Sequence, residues 1–327
     1  MRVAIVGASG MVGRMFLKVL EEKRLNIDEY VLFTSANSAG TKVKFMGEEY
    51  EFQELSENSF DKKFDFALFS AGGEVSKRFA PIAASHNCVV IDNSSAWRMD
   101  KTVPLVVPEV NMEMAYKNSG IIANPNCSTI QAVVALKPLH DRYKIKRIVY
   151  STYQAVSGAG QKGYMDLKNG INGEEPTKFT YRIFSNCIPH IDTFMENDYT
   201  KEEIKMIEET KKILNDYTIG ITATTVRVPV FFGHSESINV EFEKDFILRD
   251  IYEIYNNAKG IVVQDNPKEN VYPMPLTSEG YDEVFVGRIR RDYSVKSGVN
   301  LWVVADNVRK GAATNAIQIL EKMLNKK

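Results

Sequence analysis

Three cysteines, Cys88, Cys127 and Cys187, occur in the 327 residues, and Cys127 has the neighbours that suit a nucleophile. It falls in Ile-Ile-Ala-Asn124-Pro-Asn126-Cys127-Ser128-Thr129-Ile-Gln-Ala-Val, between a strand-like run and an apolar helix, with Asn, Ser and Thr as caps. At a helix amino terminus, oriented N–H groups stabilise a thiolate and draw its pKa from about 8.5 toward neutrality. Cys88 lies inside Cys-Val-Val-Ile and reads as a small buried hydrophobe, a reading that also suits Cys187. An odd, sparse set without C-x-x-C spacing argues against a disulfide framework or a thiolate zinc site, and no metal is expected.

A thiol nucleophile needs a base, and four histidines are available: His86, His140, His190 and His234. His86 and His140 lie among ordinary helix-end residues and read as solvent-facing, while His190 follows a proline in an irregular stretch. His234 sits in Val-Arg227-Val-Pro-Val-Phe-Phe-Gly-His234-Ser-Glu-Ser, just after a strand that carries Arg227. A guanidinium for a carboxylate and an imidazole for proton transfer would converge there, although a purely structural His234 stays open on these residues alone.

A second chemistry is written at the amino terminus. In Val-Ala-Ile-Val-Gly7-Ala-Ser9-Gly10-Met11-Val12-Gly13 the glycines mark a strand-to-helix junction. Glycine there permits a tight turn and lets backbone N–H groups approach a pyrophosphate at a helix amino terminus. The spacing G-x-x-G-x-x-G departs by one residue from the usual dinucleotide fingerprint, so its position on the first strand of a βαβ series carries most of the weight. After the second strand comes Thr34-Ser35-Ala36-Asn37-Ser38, with no acid before Glu48. An Asp or Glu here would pair with the ribose hydroxyl of NAD; hydroxyls and amides leave room for a 2′-phosphate, to which Lys42 and Lys44 add positive charge, so NADP is favoured over a ligand-free polar loop.

The elements that position these residues follow from the apolar pattern. Short Val-, Ile- and Phe-rich runs at 3–6, 30–33, 64–69, 89–91, 105–107 and 121–123 alternate with helical stretches, which predicts a doubly wound (Rossmann-type) α/β domain with a parallel sheet. Beyond 145 longer, partly alternating runs at 147–156, 219–231, 237–243, 284–290 and 299–306 predict an α+β domain with a mixed, largely antiparallel sheet, interrupted by helices at 201–215 and 245–258. The stretch 158–186 is polar and Gly-rich and reads as a long loop or an oligomer-contacting excursion. The last segment, 307–327, is helical, and its periodicity does not say which domain it joins.

With 41 Lys+Arg against 42 Asp+Glu, the net charge of −1 supplies no global field for nucleic acid or an anionic membrane, so neither partner is expected. At 44% hydrophobic and 25% charged residues, disorder is excluded as the dominant state. No apolar run approaches the ~18–20 residues of a bilayer span and no cleavable leader is evident, so a cytoplasmic location is expected.

Taken together, Asn-Pro-Asn126-Cys127-Ser-Thr, Ser-Thr-Tyr-Gln154-Ala-Val-Ser157-Gly158, Val-Arg227-Val-Pro-Val with His234-Ser-Glu-Ser, Val-Gly-Arg288-Ile-Arg290 and Asp306-Asn with Lys310-Gly-Ala-Ala resemble the aspartate-β-semialdehyde dehydrogenase family. The matches run from Gly7 to Gln318. The resemblance implies NADPH-dependent reduction of L-aspartyl 4-phosphate to L-aspartate 4-semialdehyde through a thioester on Cys127, with His234 as acid/base and Gln154 placing the acyl group. It implies Arg227 for the substrate carboxylate, Glu202 for its ammonium, and Lys205, Arg98 and Asn126 for phosphate. Without it, the Lys/Glu-rich stretch around Glu202 and Lys205 is an ordinary solvated helix. Ser157 and Gly158 match the loop at the nicotinamide end, and Asn315 a cofactor contact from the last helix, which in the family packs on the nucleotide domain. The domains are then 1–126 with 307–327 for NADP, and 127–306 for catalysis and dimerisation, in a homodimer or a tetramer made of two. Asn37 stands where many relatives carry Arg, which weakens the case for NADP over NAD, and 158–186 is shorter than in many relatives. The rivals are a related acyl-phosphate reductase, such as one acting on N-acetylglutamyl phosphate, and a non-catalytic nucleotide-binding sensor.

Overall fold

The computed structural model describes residues 1–325; residues 326 and 327, the end of the segment expected to rejoin the first domain, lie outside the described residues. The chain divides into two compact units, Met1–Asn126 with the chain from Ala312 onward, and Cys127–Gly311. The second junction thus falls at Ala312, a few residues past the 307 expected from the sequence.

In the first unit, strands β1 (Arg2–Val6), β2 (Glu29–Thr34), β5 (Gln53–Glu54), β6 (Phe66–Phe69), β7 (Val89–Asp92) and β8 (Ile121–Ala123) form a parallel sheet in the order β5-β2-β1-β6-β7-β8. The chain order reverses around β1, so β1 opens a switch point where ligands of doubly wound sheets bind. Every residue of β6 and all but the first of β1 are buried, which accounts for the uninterrupted apolar runs. A small hairpin, β3 (Lys42–Phe45) with β4 (Glu48–Glu51), was not legible in the sequence. Helices α1 (Met11–Lys23) and α2 (Gly73–Ser85) flank the sheet. The carboxy-terminal helix Thr314–Leu324 packs Ala316, Ile317 and Leu320 into the same apolar core as Phe16 and Leu20 of α1.

One expected strand is absent. Residues 105–107 make a single bridge, Leu105 to Ala123, and are otherwise irregular. Pro104 and Pro108 bracket the run and supply no N–H, which limits ladder pairing to three residues.

The second unit is a six-stranded mixed sheet of β9 (Ile145–Gln154), β10 (Gly220–Arg227), β11 (His234–Phe242), β12 (Ile261–Val263), β13 (Val284–Asp292) and β14 (Gly298–Ala305), in the order β10-β9-β11-β14-β13-β12. The β9–β10 and β12–β13 pairs are parallel and the others antiparallel. Helices α3 (Cys127–Tyr143), α5 (Lys201–Leu214) and α6 (Leu248–Asn257) pack with these strands. The stretch expected as a loop after Gly158 instead contains α4 (Gly160–Gly170). Gly163 within it is a packing position: a Cβ there would stand 2.6 Å from the carbonyl oxygen of Val156. Reading such glycines as breakers hid the helix. Among the described residues, no helix is long and apolar enough to cross a membrane.

Candidate active site

In the first unit the turn after β1 is drawn tight by the amides of Gly7 and Ala8, which both donate to the carbonyl of Phe33 at the end of β2. Gly7 has φ +82°, a left-handed conformation, and a Cβ on it would meet the Ser70 carbonyl oxygen at 2.3 Å. Gly13 is excluded from any larger residue by the Gly7 carbonyl, 2.1 Å from where its Cβ would be. Gly10 caps α1 without a side chain. The amides of Met11, Val12 and Gly13 therefore open the helix with no side-chain cap before them, the arrangement that receives a pyrophosphate. Ser9 Oγ bonds Thr34 Oγ1 at 2.5 Å, and Ser35 and Asn37 are exposed in the turn that follows, with Ser38 half-buried. No carboxylate occupies that turn, so these residues fit NADP. Lys42, expected to add charge there, is paired with Glu49 at 2.6 Å.

Arg98 is buried in this unit and spends Nε on the carbonyl of Asn124 and Nη2 on that of Asn93. Asn126, also buried, precedes Cys127 in the chain. Asn315 is fully buried, its amide donating to the Val106 carbonyl at 3.0 Å and to Asn124 Oδ1 at 2.7 Å. Those donors are occupied inside the unit.

In the second unit Cys127 is the first residue of α3, and its Sγ lies 3.2 Å from His234 Nε2. His234 opens β11 and is fully buried. Its Nδ1 accepts the backbone N–H of Ala155 at 3.0 Å, and its carbonyl accepts from Gln131 Nε2 of α3 at 3.2 Å. Burial holds the imidazole well below its usual pKa, and the nearby Arg227 charge acts in the same direction.

Arg227, at the end of β10, is buried and donates Nη1 to the carbonyl of Ala155 at 2.6 Å. Its Nε has no partner among the described residues. Burial lowers its pKa, opposed by Glu202 and Cys127. The ring of Phe179 lies over the guanidinium, 5.9 Å from Cζ to the ring centre. Phe179 is itself fixed by Asp166 of α4, whose carboxylate accepts the N–H groups of Thr177, Lys178 and Phe179 at 2.7 to 2.9 Å.

Gln154 closes β9 and is buried; its Nε2 donates to Glu202 Oε1 at 3.1 Å, and its Oε1 accepts from Thr152 Oγ1 at 3.0 Å. Lys205 donates to the other oxygen of Glu202 at 3.1 Å and to Asp192 at 2.8 Å. Burial opposes its charge, but these carboxylates outweigh burial and raise its pKa. The one-face placement of Glu202 and Lys205 is seen, whereas the bland picture of a solvated helix is not: Glu202, Glu203 and Glu209 are all buried. The capping box of Thr200 with Glu203 starts α5 and sets its register.

Ser157 is buried and linked to Asn307, whose Oδ1 also accepts the Gly233 N–H just before His234. A Cβ on Gly158 would lie 2.9 Å from Arg227 Nη1 and 3.2 Å from His234 Nε2, so Gly158 packs directly on both. Gly311 stands equally close to Cys127, 2.9 Å from a built Cβ to its Cβ. Ala155, Gln131, Phe179 and Asn307 are the site-forming residues that sequence reading missed. Asn307 fell inside a quoted motif, while Ala155 acts through its backbone and left no side-chain signal.

His140, expected in solvent, is a structural residue instead: its Nδ1 accepts the Ile145 N–H, its side chain is 11% exposed, and burial lowers its pKa. Cys88 is buried, which pushes its thiol up to about 12, and Cys187 is exposed.

A dinucleotide-type α/β unit and a second unit that sets a thiol against an imidazole beside a buried guanidinium define a thiol-dependent pyridine-nucleotide dehydrogenase. Comparison with known proteins narrows the class. The family model described as semialdehyde dehydrogenase, NAD binding domain, matches residues 2–118, and the one described as semialdehyde dehydrogenase, dimerisation domain, matches residues 136–310. Aspartate-semialdehyde dehydrogenase of Aquifex aeolicus is 58% identical, covering 99% of this chain and 98% of that protein. The crystal structure of aspartate semialdehyde dehydrogenase II from Vibrio cholerae complexed with ASA superposes with a TM-score of 0.94 at 47% identity, over 99% of this chain and 98% of the other. The enzyme from Candida albicans, solved with NADP, gives a TM-score of 0.79 at 26% identity, over 99% of each chain. The chain belongs to the aspartate-semialdehyde dehydrogenase family.

Proposed function

We propose that the chain reduces L-aspartyl 4-phosphate to L-aspartate 4-semialdehyde and phosphate with NADPH, a step in making lysine and diaminopimelate, threonine, methionine and isoleucine. The observation that carries this reading is the pairing of opposite charges around one thiol: a buried Arg227 with an unpartnered Nε, and a buried Glu202 tied to Gln154. An α-carboxylate and an α-ammonium on one substrate complement that pair.

Cys127 attacks the acyl phosphate, the carbon–sulfur bond forming as the bond to phosphate breaks, and a thioester results. NADPH, when bound, supplies the hydride that reduces it. Gln154 positions the acyl group, Arg227 holds the α-carboxylate, and Phe179 shields the guanidinium from water. Lys205 orients Glu202 and offers its remaining donor to phosphate, with Arg98 and Asn126 as further phosphate ligands. The turn of Gly7, Ser9, Gly10, Met11, Val12 and Gly13 holds the pyrophosphate, and Ser35, Asn37 and Ser38 meet the 2′-phosphate. Ser157 and Gly158 serve the nicotinamide end. Asn315 meets the cofactor from the carboxy-terminal helix while its amide holds Asn124.

On the same reading, Met1–Asn126 with the carboxy-terminal segment is the coenzyme domain and Cys127–Gly311 the catalytic and dimerisation domain. The protein works as a homodimer, with a tetramer of two dimers as the higher state, in the cytosol. The exposed Tyr153 and its neighbour Trp302, ring centres 5.5 Å apart on the half-exposed face of the mixed sheet, support association through that face.

Phosphate-dependent reduction of NADP is the test, with aspartate semialdehyde against N-acetylglutamate semialdehyde. A free ammonium is expected to be required, since an acetylated nitrogen gives Glu202 nothing to pair; preference for the acetylated substrate overturns the assignment. Coenzyme binding without turnover of either substrate would mark a sensor.

A further inference from the structure

We propose that Asp192 is a built-in occupant of the anion site at Lys205: its carboxylate takes the ammonium in the free enzyme and gives it up when phosphate arrives, which sets how loosely phosphate is held. This rests on the reading of Lys205 as a phosphate ligand and adds the residue that competes for it.

Two carboxylates share one ammonium. Lys205 Nζ donates to Glu202 Oε2 at 3.1 Å and to Asp192 Oδ2 at 2.8 Å. An ammonium has three hydrogens, so a phosphate that displaced neither carboxylate would find a single donor, inside a group where negative charge outnumbers positive. That surplus repels a dianion. For Lys205 to hold phosphate by more than one bond, a carboxylate has to give way.

The two partners are not equally able to leave. The Glu202 side chain is 7% exposed, belongs to α5 and keeps its other oxygen on Gln154 Nε2 at 3.1 Å. The Asp192 side chain is 34% exposed and belongs to no helix or strand. Moving Glu202 would strand a buried amide and a buried charge, whereas moving Asp192 returns a carboxylate to water.

The exchange needs only a side chain. The main chain is fastened on both sides of Asp192: Ile188 and Arg227 exchange backbone bonds of 2.9 and 2.8 Å, and the Thr193 carbonyl accepts from the Lys201 N–H at 2.9 Å. Asp192 itself has φ +68°, a left-handed conformation that Asp and Asn enter more readily than most residues, and its Oδ1 accepts the Thr193 N–H at 2.8 Å. Burial works against the Asp192 charge, but Lys205 and the Thr193 N–H outweigh it and hold its pKa below the ordinary carboxylate value. The occupant is therefore an anion at neutral pH, and another anion is what replaces it. When phosphate is the product, the same carboxylate re-forms the pair behind it, so a highly charged leaving group is not trapped on the lysine.

The test is KM for phosphate in phosphate-dependent NADP reduction by the full-length enzyme, with sulfate as an unreactive oxyanion competing against it. Asp192→Asn keeps the shape, tolerates the left-handed backbone, retains an acceptor for the Thr193 N–H and removes the charge. It should lower KM for phosphate and the inhibition constant of sulfate by about five- to tenfold. KM for aspartate semialdehyde should change less, since Glu202 keeps both its partners. A residue that merely propped up Lys205 would give the opposite sign, and raised or unchanged constants for both anions in Asp192→Asn overturn the proposal. Lys205→Met should raise both constants about tenfold or more. If Lys205→Met and Asp192→Asn both leave the anions untouched, the assignment of Lys205 to phosphate fails too, an outcome distinct from a failure of Asp192→Asn alone. A crystal structure of the wild-type enzyme soaked with sulfate gives a second measurement. Sulfate on Lys205 with Asp192 more than about 4 Å from Nζ is expected; sulfate there with the 2.8 Å contact intact overturns the proposal.

Discussion

In the first unit the groups proposed to meet a ligand are backbone amides at the start of α1, shaped by Gly7 and Gly13, whose Cβ positions are filled by other main-chain atoms. In the second they are side chains, a half-buried Cys127 and the buried His234, Arg227, Gln154 and Glu202, each fixed by hydrogen bonds or packing from another element. The difference teaches where each task tolerates change. A pyrophosphate is met by any well-placed row of N–H groups, so residue identity matters there chiefly through the space it occupies. Bond making needs a particular sulfur and a particular charge, so identity matters atom by atom.

The sharpest break in that contrast comes from Cys127→Ala. Turnover should fall by about 10⁴-fold or more, with the affinity for NADP, measured by fluorescence titration, nearly unchanged. Retained turnover would remove the sulfur from the mechanism. Thiol mapping sharpens the point, since Cys187 should be alkylated without loss of rate and Cys88 should resist.

Next in size is Arg227→Lys. A point charge replaces a two-pronged donor that also reaches the Ala155 carbonyl, so KM for aspartate semialdehyde should rise about a hundredfold while coenzyme affinity holds. An unchanged KM would detach the guanidinium from the substrate carboxylate.

The smallest effect should come from the other unit and run the opposite way. Gly13→Ala sets a methyl group against the Gly7 carbonyl and should cost about 1–3 kcal/mol of stability by chemical denaturation, with NADP binding weakened about tenfold. The rate at saturating coenzyme should change little. A variant that kept coenzyme affinity and lost rate instead would erase the division of labour.

Much of this was written in residue order. The polar caps around Cys127, the glycines after β1 and the Arg227 to His234 stretch each sit within a few residues, and local pattern locates them. The contact of Gln154 with Glu202 joins positions 48 apart and depends on how α5 lies on β10, which no window of sequence reports. The helix α4 was lost because a glycine such as Gly163 serves packing rather than a turn, and the run 105–107 was overcounted because flanking prolines cut its pairing short. Ala155 was invisible for a different reason, since its amide and carbonyl carry the function and every residue except proline has both.

That last position has a consequence for how the family can drift. One peptide group holds an imidazole by its hydrogen and a guanidinium by its oxygen, so any tilt of that plane moves both at once. The placement of the ring and that of the guanidinium are thereby tied together, and proline is the substitution that would silence one half of the pair while leaving the other in place.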